Sequence, residues 1–117
     1  MEIAIFKTDN RRADSIDHFM EFYYMLRMTH LASDLLEKGL SPQQIIDAAA
    51  RAIRAAESSG LDTSQHFRPV FSGMEQEIIQ DCKLSHLAYG LVLMNADEEI
   101  SAVGEFQVSV LQKLLRS

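Results

Sequence analysis

Asp14, His18 and Glu21 lie four and three residues apart, so on a helix two carboxylates and an imidazole share one side. Carboxylate bundles hold metal with such groups, but they also need Glu-x-x-His pairs from other helices, and the chain contains none. These residues therefore read as a solvated polar face, and a small metal-dependent enzyme is only a second alternative. His30, His66 and His86 are scattered without the Cys or acid spacing of a ligand set. Cys82 is the single cysteine, and its neighbours Asp81 and Lys83 act on its pKa in opposite directions, so it reads as a buried, inert thiol. No Gly-x-Ser-x-Gly elbow, phosphate loop or dinucleotide fingerprint occurs. With no nucleophile beside a base, the expectation is a protein that is not an enzyme and has no catalytic, cofactor-binding or metal-binding residues.

Charge points toward binding. Eleven Lys and Arg stand against 17 Asp and Glu, a formal −6 at pH 7, and such a field repels a phosphate backbone unless the cations gather on one face. Arg51 and Arg54, with Arg68 downstream, could form one such face, and Arg11 with Arg12 another, but neither has interleaved aromatics. Direct DNA binding is accordingly the first alternative. Between Ser72 and Glu105 the acids Glu75, Glu77, Asp81, Asp97, Glu98, Glu99 and Glu105 face Lys83 alone. Asp81, Asn95, Asp97, Glu98 and Glu99 are the expected partner-binding residues, since a negative patch can compete with nucleic acid for a basic protein.

The elements that must carry these residues read as helices. Asp14 to Lys38 is helical in pattern, with Met20, Tyr24, Met28, Leu31 and Leu35 on one face. Phe19, Phe22, Tyr23, Met25 and Leu26 spread apolar surface round the same helix, and they are the expected homodimer interface. Gly39 is placed as a C-terminal cap, and Ser41-Pro42-Gln43-Gln44 forms a capping box with proline at the first helical position. The next helix runs from about Pro42 to Ser58, with Ile45, Ile46, Ala49, Ile53 and Ala56 on one side. Pro69 implies a turn or an extended piece, and Ser72-Gly73-Met74-Glu75 a second capping box opening a helix to about Asp81. Leu84 to Met94 is apolar enough for a buried helix with Ser85 as N-cap. Asp97 is set to cap a last helix that ends near Lys113 and Arg116, packing as an α-hairpin on its predecessor. Met1 to Lys7 alternates like a short strand or an arm.

The predicted fold is therefore all-α or nearly so: one domain over residues 1–117, four to five helices with a C-terminal α-hairpin, and at most one short N-terminal strand. With 117 residues, 47% of them hydrophobic and 24% charged, a second core is excluded and a compact globule is expected. No signal peptide is evident, and no apolar run approaches the ~18 residues of a membrane span. The expected setting is cytoplasmic, with no membrane contact.

From Arg51 onward, the strings RAIRAAESSGLDTSQHF, IIQDCKLSHLAYGLVLMNAD and VGEFQ resemble the amino-terminal region of the DNA-damage-inducible protein D family, which is related to phage antirepressor-like proteins. The likeness covers residues 45 to 112. It is carried by Glu57-Ser58-Ser59-Gly60, His66-Phe67, Leu84-Ser85, Ala88-Tyr89, Asn95-Ala96-Asp97 and Gln107. His86, Ala96 and Glu98 stand where the family has arginine, glycine and proline, and the first 44 residues do not match. The resemblance implies a bacterial or prophage-derived accessory protein of the DNA-damage response that modulates a recombinase or a repressor.

Overall fold

A computed structural model of the chain describes residues 16, 18–20, 22–74 and 77–116. The first helix, α1, is helical at residues 16, 18–20 and 22–26 and closes at Arg27 and Met28, whose amides bond back to Tyr24 and Met25. A two-residue strand, β1 (His30–Leu31), and a 3₁₀ helix (Ala32–Lys38) follow. The single helix expected from Asp14 to Lys38 is thus broken. His30 and Leu31 give their backbone to a sheet partner distant in sequence, and the carboxylate of Asp34 turns back to accept from the Leu31 amide at 3.0 Å. The apolar spacing still serves the core, because Met28 and Leu35 are buried either side of the break.

The next boundary falls where the capping residues set it. Gly39 takes φ 103° and its amide bonds to the carbonyls of Leu35 and Leu36, closing the 3₁₀ helix. Ser41 Oγ accepts from the Gln44 amide while Gln44 Oε1 accepts from the Ser41 amide, and α2 (Pro42–Ser58) begins there. Its buried row is Ile45, Ala48, Ala52 and Ala56; Ile46, expected inside, is exposed. Three alanines in that row let neighbouring elements approach closely.

Residues 67–84 overturn the all-α expectation. β2 (Phe67–Met74) and β3 (Glu77–Leu84) pair antiparallel from Phe67 opposite Leu84 to Met74 opposite Glu77, and β1 joins the other side of β3. The sheet order is β1-β3-β2, so the protein is mixed α/β, and the helix expected from Ser72 to Asp81 is a hairpin. Two physical reasons account for the difference. The stretch is rich in β-branched and aromatic residues, Val70, Phe71, Ile78 and Ile79, whose types suit strands. Pro69 falls on β2, an edge strand, where a missing N–H can face away from the ladder.

After the sheet, Ser85 caps α3 (His86–Met94), its Oγ accepting from the Ala88 amide at 3.0 Å. α4 (Ser101–Arg116) folds back against α3. An added Cβ at Gly90 would lie 3.5 Å from the Phe106 ring, and Gln107 Nε2 donates to the carbonyls of Leu93 and Met94. The core lies between the 3₁₀ helix, α2, α3 and the β3 end of the sheet, around Leu35, Leu84, Val92 and Val103. The strand or arm expected at Met1 to Lys7 lies outside the described residues. No described helix is long and apolar enough to cross a membrane.

Candidate functional site

Four of the five expected partner-binding residues come together in the connection between α3 and α4. Arg51 of α2 organises this segment: its Nε and Nη2 both donate to the Asn95 carbonyl, at 3.1 and 2.7 Å. Asn95 Nδ2 donates to the Leu91 carbonyl. Gln44 Nε2 reaches Asp97 Oδ2 at 3.4 Å, and Asp97 Oδ1 accepts from the Glu99 amide at 3.0 Å. The last bond corrects one expectation. Asp97 closes a local turn ahead of α4 rather than capping the helix, and Glu98 and Glu99 lie in that turn, because α4 starts only at Ser101.

The result is a shallow depression of about 480 Å³ lined by Gln44, Asp47, Arg51 and Met94 to Glu98. Asp47, Glu98 and Glu99 are exposed around it. With backbone and side chain both tied to α2, the carboxylates are presented from a held loop, an arrangement suited to binding a cationic surface.

Asp81 does not belong to this surface. It is buried on β3, 8% exposed, and its carboxylate accepts from the Ser33 amide at 3.1 Å, the Ser33 hydroxyl and the Cys82 amide at 2.7 Å. It latches the 3₁₀ helix to the sheet. The expectation that it binds a partner fails because residue 81 sits inside a ladder, where a helix was foreseen.

Cys82, beside it, is half-buried, and that burial pushes its thiol pKa up. Among the expected dimer residues, Phe19, Phe22, Tyr23 and Leu26 are exposed and Met25 is half-buried; Tyr23 accepts a hydrogen bond from Arg27 at 3.0 Å. Of the cations that could have made a DNA-binding face, Arg51 is held by the Asn95 carbonyl, Arg54 is exposed, and Arg68 lies across the ladder from Lys83. His18 is exposed on α1, while Asp14 and Glu21 fall outside the described residues. Among the described residues no three His, Cys, Asp or Glu side chains are placed to hold a metal.

Sequence reasoning missed the histidines. His30 stacks on Tyr89 with ring centroids 4.3 Å apart, and its Nε2 lies 3.2 Å from His86 Nδ1. His66 Nδ1 lies 2.6 Å from Ser85 Oγ, the oxygen that caps α3, and the Ser85 amide donates to the His66 carbonyl. These contacts border a second depression of about 380 Å³ that includes Tyr23, Tyr24, Arg27 and Gln65. His30 and His86 are 56 residues apart and come together only because β1 pairs with the end of β3 that leads into α3. No local spacing signals such a meeting. The Ser85–His66 pair ties the start of β2 to the start of α3, and Ser85 is itself buried at 8% exposure. Comparisons of the chain with protein-family models, curated proteins and solved structures find no match.

Proposed function

We propose that the protein is a non-catalytic interaction module that presents the acidic α3–α4 connection to a basic protein partner, in the manner of the DNA-damage-response or prophage accessory proteins it resembles. The observation that carries this reading is the clamped loop. Arg51 and Gln44 hold Asn95 and Asp97 in place, and the exposed Glu98 and Glu99 follow Asp97 on the same held loop as a negative edge. A partner that binds DNA through a basic groove, such as a recombinase or a repressor, is the class this edge matches, because carboxylates at protein spacing compete for the same cations. Self-association and a cytoplasmic setting belong to the same proposal.

The test is binding of the full chain to a purified bacterial recombinase across a salt series. Wild type is expected to bind more weakly as salt rises, and Asp97→Lys, Glu98→Lys and Glu99→Lys together should weaken binding and flatten the dependence. Equal affinity and slope for the two proteins would refute the reading. A gel shift with duplex DNA at low salt addresses the DNA-binding alternative, and retardation would favour it.

A further inference from the structure

The depression bordered by His66 and His86 gathers hydrogen-bond donors and excludes acids. It measures about 380 Å³ and draws its lining from α1, from the turn before β2 and from the start of α3. Arg27 is its fixed cation, and among the described residues no Asp or Glu lines it, although the chain carries a formal −6. Tyr23 accepts from Arg27 Nη1 at 3.0 Å, and the guanidinium carbon lies 5.7 Å from the Tyr23 ring centroid. The cation is thus braced beside the depression with most of its five donors unspent.

The two imidazoles are arranged for the same task. Ser85 Oγ already accepts from the Ala88 amide, so its own proton goes to His66 Nδ1, 2.6 Å away, and His66 keeps its hydrogen on Nε2 as a donor. His86 spends Nδ1 on His30 at 3.2 Å, which leaves its Nε2. His86 and Leu87 also open α3, where backbone amides have no acceptor within the helix. Asp62, whose charge acts on His66, stands outside the lining, and its oxygens accept from the Ser64 amide and hydroxyl and from Gln65 Nε2.

The supply of donors selects the ligand. A guanidinium fork, two imidazole edges and two amides exceed what the two oxygens of a carboxylate can use, and they suit a phosphate monoester, with its three terminal oxygens and close to two charges at neutral pH. We propose that this depression binds the phosphate group of a small phosphate monoester, with Arg27, His66 and His86 as its side-chain donors. The inference goes beyond the acidic-loop reading and stands apart from it, because that loop is held by Arg51 and Gln44 around a different depression, so either can fail while the other holds.

Titration of the isotope-labelled full chain with inorganic phosphate at constant ionic strength, followed by amide and imidazole NMR, tests it. Phosphate should bind saturably and move the His86 and Leu87 amides and the His66 Nε2 resonance, and acetate should bind more weakly. Arg27→Gln should weaken phosphate binding roughly tenfold through loss of a charge-assisted contact. Arg54→Gln, which removes an exposed cation outside the depression, should leave it unchanged. Both variants should keep the wild-type circular dichroism spectrum, because both side chains are exposed. No saturable shift with phosphate on the order of 10 mM, acetate binding as tightly as phosphate, or equal losses in the two variants would each overturn the proposal.

Discussion

Asp81 shows how one residue changes meaning with its surroundings. In a list of acids it is another negative charge; in the fold its carboxylate satisfies two backbone amides and a hydroxyl while largely buried. Removing it would leave those donors without their acceptor. Asp81→Ala should therefore lower stability by about 2–4 kcal/mol, against about 1 kcal/mol for Ser33→Ala, which deletes one bond and leaves the carboxylate. Urea unfolding followed by circular dichroism measures both, and equal losses would contradict the latch. Cys82, its neighbour, has its pKa raised first by burial, with the Asp81 charge acting the same way and the Arg68 backbone opposing. A raised pKa means less thiolate at neutral pH. Alkylation of the native protein by iodoacetamide should thus be slower than that of the urea-unfolded chain at pH 8, with the rate still climbing above the pH at which an ordinary cysteine levels off.

Among the elements, the junction between the 3₁₀ helix and α2 is the best specified by its own residues. At Gly39 an added Cβ would come no closer than 3.6 Å to Ile100 Cγ2, an ordinary contact, so there is room for a side chain. The φ of 103° is what excludes one. Gly39→Ala should destabilise by about 1 kcal/mol through backbone strain alone, and Ser41→Ala by about 1 kcal/mol through loss of the cap. Thermal unfolding of the two variants provides the check, and a neutral Gly39→Ala would show that the left-handed turn is not maintained. The hairpin is specified differently. Nothing within Phe67 to Met74 names its partner, and the capping signature at Ser72 to Glu75 suggests a helix start that cross-strand pairing overrides.

For the molecule as a whole, one core joins every layer, because Leu35 from the 3₁₀ helix, Leu84 from β3, Val92 from α3 and Val103 from α4 are all fully buried in a single cluster. A shared core couples their stabilities. Leu84→Ala should cost about 2–5 kcal/mol and lower the unfolding midpoint seen by far-UV ellipticity and by tyrosine absorbance equally, although the substitution lies in the sheet. Separate midpoints for the two probes would show that the hairpin unfolds independently.

The local signals in the chain determined the junction at Gly39 and Ser41, the extent of α2, the Ser85 cap of α3 and the break at Asn95 to Asp97. Each rests on hydrogen bonds between residues two to four apart, and such bonds are written in adjacent letters. The acidic connection was legible for the same reason: Asn95, Asp97, Glu98 and Glu99 are neighbours, and a chain cannot separate them. Tertiary structure alone decided that Arg51 and Gln44 would clamp that connection, that His30 would meet His86, and that Asp81 would be buried. It also decided that Phe67–Met74 and Glu77–Leu84 would pair as strands while the first long apolar stripe broke in two at β1. Those outcomes depend on backbone and side-chain partners tens of residues away, and the free energy that selects them exists only once the core has closed.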